Sequence, residues 1–443
     1  MSATTQAEVE FEELRPPLGP AEAVVEADRC LECGGPHAPA PCAVACPAGV
    51  DVARFIAQIA DGDPGAAAET IFEQNILGGT CARVCPVEVL CEGACVLEHE
   101  GRAPIAIGAL QRYATDWHFE RGHSLRTRAR ATGRRVVVIG AGPSGLACAG
   151  ELAARGHDVT VYDEREEIGG LARYAIAPYR QVRDPLPHEE RALEELGVTI
   201  RLGERIACRE DLTAVTAGAD AVYLGVGLGA DTSVSYPGDD LAGVWESLPF
   251  IEALKTGRPP NVGRNVVVIG GGNTAIDVAR EAVRLGADEV TILYRRTEAE
   301  MPAYAHEIEE AREEGVRFRL LAAPIGFVGG RYLTEVRCQE MTLGEPDESG
   351  RRRPLPVEGS AFTLAADTAV KAIGQQSREE LRDWVEGLEL ERGKVVVDRE
   401  GRTGNRMFFA GGDAINGGVS VVEAVRDGKR AAEAIDRELR WRS

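Results

Sequence analysis

The chain has 443 residues, 44% hydrophobic and 27% charged, and a net charge of −21. That length predicts about two or three domains of ordinary globular composition. The acidic balance excludes a nucleic-acid surface, which needs a basic face, and no apolar run reaches the ~18–20 residues of a membrane span. The opening stretch MSATTQAEVEFEEL lacks the basic and apolar regions of a secretory signal, so a cytoplasmic, reducing location is expected.

Residues 1–28 read as an acidic arm. Eight of the eleven cysteines then crowd between Cys30 and Cys95, in CLECGGPHAPAPCAVACP (30–47) and TCARVCPVEVLCEGAC (80–95). In a reducing compartment such thiols read as metal ligands rather than disulfides. Between and after them, VARFIAQIA, PGAAAETIFEQNIL and IGALQRYATDWHFE carry apolar residues at helical spacing. RGHSLRTRARATGRR, 121–135, is basic and aperiodic and reads as a linker.

Residues 134–166 then predict a strand, a glycine turn, a helix and a second strand, and the plan returns at 264–296. Two such units imply two nucleotide-binding folds with parallel sheets. In the first, Gly140 allows the tight turn, Gly142 lets backbone approach a pyrophosphate and Gly145 lets helix pack on strand. The helix N-terminus then faces phosphate, and Asp163 ends the second strand, placed to accept hydrogen bonds from a ribose. The second unit has Gly270, Gly272, Asn273 and Thr274 at its turn and ends its second strand in Arg295 and Arg296 rather than an acid. Arginine there suits a 2′-phosphate, which favours NADPH over NADH.

Near the end, apolar MFFA leads into Gly411-Gly412-Asp413, with Asp413 a candidate for a ribityl chain. Two dinucleotide folds closed by this segment resemble the flavin disulfide-reductase superfamily. The likeness implies FAD in the first fold and a pyridine nucleotide in the second. It also points to Gly170-Leu171 and Gly374 as cofactor contacts.

Such reductases need a redox-active cysteine pair, yet Cys148, Cys208 and Cys338 stand alone in the later chain. The N-terminal thiols are therefore the expected electron exit. Zinc would suit four paired thiolates but is redox-inert. Cys46-Pro47 and Cys85-Pro86 carry the Cys-Pro signature of iron–sulfur runs, which favours clusters.

CARVCPVEVLCEGAC, PIAIGALQRYA, GGLARY, RRTEAEMPAYAHEIEEAREEGV and GGDAINGGVSVVEAVRDGKRAA resemble the small subunit of glutamate synthase and the N-terminal half of dihydropyrimidine dehydrogenase. That family implies two [4Fe–4S] clusters with interleaved ligands. One would use Cys30, Cys33, Cys42 and Cys95; the other Cys46, Cys85 and Cys91 with Gln111. Counting thiols alone would draft Cys81 instead of Gln111. The loop between Cys33 and Cys42 is longer than the family's and contains His37, a remote candidate ligand beside its plain reading as a loop residue.

The expected fold class is α/β. A helical iron–sulfur domain (1–130) precedes a discontinuous FAD domain (131–258 and 374–443) and an NAD(P)H domain (259–373). The expected function is electron input: NAD(P)H is oxidised through FAD, and electrons leave by the clusters to a partner. No catalytic side chain is expected, because cofactors carry the chemistry. Candidate partners are a glutamate synthase large subunit, a subunit of the dihydropyrimidine dehydrogenase type, which the C-terminal motif resembles more, or a ferredoxin-type acceptor. The rival is a stand-alone flavin reductase whose cysteine domain binds zinc and serves for docking.

Overall fold

The computed structural model describes residues 13–35, 38–122, 126–347 and 350–441, so His37 lies outside the described residues. The backbone divides into two compact units. One holds Glu13–Ile176, Arg180–Leu228 and Ser377–Ser443; the other holds Ala177–Tyr179 and Gly229–Gln376.

The larger unit opens with helices α1 (Pro20–Ala27), α2 (Pro41–Val44), α3 (Val52–Ala60), α4 (Pro64–Gln74), α5 (Gly78–Val84), α6 (Val96–His99) and α7 (Ile107–Arg121). Their starts are written locally. Pro20, Pro41 and Pro64 occupy first-turn positions that need no N–H. The Asp63 carboxylate accepts the Ala66 N–H at 2.9 Å, capping α4. On α3, Val52, Phe55, Ile56 and Ile59 recur at helical spacing and all four are buried.

The chain then builds β1 (Arg135–Ile139), α8 (Pro143–Ala154), β2 (Asp158–Tyr162), α9 (Leu171–Tyr174), α10 (Leu186–Glu195), β3 (Thr199–Arg201), α11 (Arg209–Val215) and β4 (Ala221–Leu224). It leaves for the smaller unit through β5 (Val244–Glu246), α12 (Ser247–Lys255), β6 (Asn265–Ile269), α13 (Asn273–Arg284), β7 (Glu289–Tyr294), α14 (Ala305–Glu313) and β8 (Arg317–Leu320). There follow β9 (Ala322–Gly329), β10 (Leu333–Pro346), β11 (Arg352–Ala365) and β12 (Thr368–Lys371). Back in the larger unit come α15 (Leu381–Trp384), the ribbon β13 (Leu390–Glu391) and β14 (Lys394–Val395), β15 (Phe408–Ala410), α16 (Asp413–Asn416) and the long α17 (Val421–Trp441).

Each unit has one five-stranded sheet, ordered β15-β4-β1-β2-β3 in the larger and β5-β12-β6-β7-β8 in the smaller. Every pairing in both sheets is parallel. The two expected Rossmann-like folds are therefore present, with the inner strands β1, β4, β6 and β12 buried along nearly their whole length, as covered parallel strands are, and the edge strands β3 and β8 partly exposed. The smaller unit adds an antiparallel sheet β11-β10-β9 that the sequence reading did not foresee.

In the larger unit, α8 and α17 lie against each other on one face of the sheet. Here the helical region and the dinucleotide fold share one core. Phe55, Ile56, Ile71 and Phe72 belong to the same apolar cluster as Val138, Leu146, Leu152 and Val425. Among the described residues, no helix is long and apolar enough to cross a membrane.

Candidate cofactor sites

The eight N-terminal cysteines are all free thiols, carried on short helices and the turns between them. Cys30 follows α1, Cys42 lies in α2, and Cys95 is the N-cap of α6. Together with Cys33 these three line one pocket of ≈ 380 Å³, its open mouth included. Its other walls are Leu31, Pro41, Ala53, Ile56, Ala94, Val96, Leu97, Ile105 and Ile107, with no charged group among them. Burial and the neighbouring Cys30 push the Cys42 thiol up to about 11. A soft, electropositive guest would reverse that, since thiolates are the ligand form. Four thiols in an apolar wall fit an iron–sulfur cluster by donor type and by surroundings.

The other thiols form a second group. Cys81 and Cys85 sit one turn apart on α5 and its C-cap, and a hydrogen bond from the protonated Cys85 thiol to Cys81, followed by burial, raises the Cys85 thiol. Cys46 and Cys91 act on Cys85 as further like charges. Backbone N–H groups of Val50, Ala48 and Gly49 face the Cys46 sulfur. Gln111, on α7, donates from Nε2 to the Gly78 carbonyl at 2.8 Å, which fixes its amide against the start of the helix carrying Cys81 and Cys85. Cys81 and Gln111 thus both belong to this neighbourhood. Among the described residues, no group of three or more His, Cys, Asp or Glu side chains could hold a single metal ion.

In the first dinucleotide fold, two of the three motif glycines are required by sterics. Gly140 has φ +104°, and a Cβ there would lie 2.3 Å from the Gly225 carbonyl oxygen. A Cβ on Gly145 would lie 1.9 Å from the Gly140 oxygen. Gly142 differs: a Cβ there would meet nothing nearer than the Gly170 Cα at 4.0 Å. The open space lies at the N-cap of α8, where a pyrophosphate fits. Asp163 is half-buried and held from both sides, accepting the Ala141 N–H at 2.6 Å and the Arg165 N–H at 2.8 Å. Burial raises its carboxyl above the ordinary value. Gly170 has φ +52°, and Leu171 beside it is 36% exposed at the start of α9. Gly412 has φ +67° and delivers Asp413 to the N-terminus of α16, where burial and then Asp427 raise the Asp413 carboxyl.

In the second fold, a Cβ on Gly270 would lie 2.1 Å from the Ala372 oxygen, whereas Gly272 meets only Pro302, at 3.8 Å. Space is again left at a helix N-cap, that of α13. Asn273 uses its side-chain oxygen to accept the Tyr304 N–H at 2.9 Å. Thr274 is exposed in the first turn of α13, and Gly374 lies beyond β12 with φ +107°. The two arginines part company. Arg295 is exposed at the end of β7, but Arg296 is buried, donating to Asp347 at 2.9 Å and to the Arg352 carbonyl at 2.7 Å. The expectation of a paired 2′-phosphate clamp is thereby narrowed to Arg295.

Sequence reasoning missed Lys429. It lies on α17, between the buried Val425 and Ala432, on the stripe that faces the core. A lysine at a core-facing helical position was the signal available.

The fold is that of a pyridine-nucleotide oxidoreductase of the flavin-reductase type, preceded by a helical iron–sulfur domain. Residues 7–123 match the family described as dihydropyrimidine dehydrogenase domain II, 4Fe-4S cluster. Residues 134–428 match the pyridine nucleotide-disulphide oxidoreductases. The glutamate synthase [NADPH] small chain of Halomonas elongata is 37% identical over 96% of this chain and 93% of its own length. The NADP(+)-dependent formate dehydrogenase subunit beta of Moorella thermoacetica is 38% identical over 91% of this chain and 60% of its own. In fold, FprA of Mycobacterium tuberculosis, solved in complex with NADPH, superposes with a TM-score of 0.59 at 20% identity, covering 69% of this chain and 84% of its own. The chain belongs to the pyridine nucleotide-disulphide oxidoreductases, in the branch that includes the glutamate synthase small chains. It is an NAD(P)H oxidoreductase.

Proposed function

We propose that the chain is an electron-input subunit, oxidising NADPH and delivering electrons through two [4Fe–4S] clusters to a second subunit that holds the substrate site. The observation that carries this reading is the pocket of Cys30, Cys33, Cys42 and Cys95, built into the same core as the first dinucleotide fold. When bound, FAD would accept a hydride and release single electrons, which clusters can relay.

The chain's own residues bind and orient. Gly140, Gly142 and Gly145 clear space for a pyrophosphate at α8, while Asp163 and Asp413 would anchor the ribose and ribityl hydroxyls of FAD. Gly170, Leu171 and Gly374 would border the cofactors. Gly270, Gly272 and Thr274 would receive NADPH, with Arg295 on its 2′-phosphate. Cys46, Cys85, Cys91 and Gln111 would hold the second cluster. A second subunit of the glutamate synthase type fits best, because small chains of that enzyme align along nearly their whole length.

Anaerobic purification tests the reading. The chain should carry about eight iron and eight sulfide per FAD, the content of two cubane clusters. NADPH should reduce ferricyanide, while glutamine plus 2-oxoglutarate should stay unconverted until a partner is added. Stoichiometric zinc without acid-labile sulfide would sink the proposal, and so would a complete reaction by this chain alone.

A further inference from the structure

Lys429 sits where no cofactor or partner in the preceding reading requires a cation. Its ammonium donates to the Ala48 carbonyl at 2.7 Å, to the Gln74 carbonyl, and to Gln74 Oε1 at 3.3 Å. All three acceptors are neutral, and among the described residues no carboxylate lies within ion-pair distance of it. Burial lowers its pKa, and the Glu151 and Glu433 carboxylates act on it from beyond ion-pair distance, so its positive field is partly offset, though a partly buried site screens what remains poorly.

The place of that field matters. Ala48 belongs to the turn after Cys46-Pro47, the turn whose N–H groups face the Cys46 sulfur, and Gly49 donates back to the Cys46 carbonyl at 2.9 Å. Gln74 ends α4. Lys429 therefore joins three elements: α17, which packs on the helix of the first dinucleotide fold, the end of α4, and the turn presenting Cys46.

We propose that Lys429 is a positioning residue for electron transfer, fastening α17 to the Cys46 turn and holding a positive charge beside the cluster that Cys46 would bind. This rests on the reading of Cys46 as a ligand. Reduction adds negative charge to a cluster, so a fixed neighbouring cation stabilises the reduced state and raises the potential. The cluster that Cys46 would bind is thereby made easier to reduce than it would be without the lysine.

The test uses full-length protein purified anaerobically as Lys429→Met and Lys429→Arg, with iron analysis and an EPR-monitored redox titration of both clusters. In Lys429→Met one cluster's midpoint should move to lower potential while the other stays, and Lys429→Arg should hold the wild-type value. Loss of half the iron in Lys429→Met that Lys429→Arg restores supports the fastening role equally. Unchanged midpoints in Lys429→Met with full iron overturn the proposal, as does equal iron loss in both variants, which would reveal packing alone. Cys46→Ser separates the two levels: if it keeps full iron, the ligand reading fails, whatever Lys429 does.

Discussion

At the scale of single residues, the glycines were readable from sequence because their motif spacing and positive φ are local. A residue at φ +104° favours glycine, as at Gly140, and the Gly225 carbonyl oxygen 2.3 Å from its would-be Cβ, brought by a distant strand, closes the place to any side chain. Arg296 was unreadable for the opposite reason. Its partner Asp347 lies 51 residues away, beyond a strand pairing that no nearby motif announces. The pair of arginines should therefore separate in experiment. Arg295→Gln should raise the NADPH KM by about 10–100-fold, the worth of one charge-assisted bond to phosphate, and leave NADH nearly untouched. Arg296→Gln should lower Tm with little change in nucleotide preference, because it breaks a buried pair with Asp347. Steady-state kinetics with both nucleotides and a melting curve decide; equal KM effects from both variants would restore the two-arginine clamp.

For the proposed second cluster, the fourth ligand is likewise a matter of single residues. Thiol counting points to Cys81 and family resemblance to Gln111; the structure puts Cys81 beside Cys85 and Gln111 against Gly78, at the start of the same helix. If Gln111 binds iron, Cys81→Ser keeps full iron content, whereas Cys85→Ser loses roughly half, one cluster of two. Equal losses in iron assays of the two variants would transfer the role to Cys81.

Among elements, amphipathic spacing made α3 and α7 legible, but not what α5 leans on. Glu189, from α10, is completely buried and accepts hydrogen bonds from the Thr80 N–H at 2.9 Å and the Thr80 hydroxyl at 2.5 Å, tying α10 to the cysteine-bearing α5. Burial pushes its carboxyl up from 4.5 to about 7. A folded-state value above the unfolded one means the folded state binds more protons across that window. The stabilisation is complete below about pH 4.5 and is lost as pH rises through about 7. The loss should be on the order of 2–3 kcal/mol. Urea unfolding at pH 5 and pH 7.5 should show it in the wild type, and Glu189→Gln, which cannot ionise, should have a flatter profile. A wild type equally stable at both values would mean that Glu189 remains charged throughout.

At the scale of the whole molecule, sequence texture suggested a cysteine domain separable at the basic stretch 121–135. The described part of that stretch is instead anchored: Arg126 pairs with Glu151 at 2.7 Å, and Arg128 donates to the carbonyls of His157 at 2.9 Å and Leu196 at 3.1 Å. Basic composition without periodicity looks like solvated linker until the acceptors are known, and these acceptors come from α8, α10 and the turns beyond them. Beneath it the core is continuous, with Phe55, Phe72 and Ile76 in one apolar cluster with Leu146, Leu152 and Leu193. Removing residues 1–125 would strip that face from α8 and α10 and expose several large side chains at ~1.5–3 kcal/mol each, against a total stability of ~5–15 kcal/mol. The truncated chain should fail to accumulate as a soluble flavoprotein. In the intact protein, the loss of cluster absorbance and the release of FAD fluorescence should coincide in one denaturant transition. Two resolved transitions, or a truncated chain that binds FAD and still reduces ferricyanide with NADPH, would show that the helices and the dinucleotide fold are stable apart. Coincident transitions would mean instead that the wall holding the thiols and the cradle for the flavin are one solid piece, which fixed distances between electron carriers require.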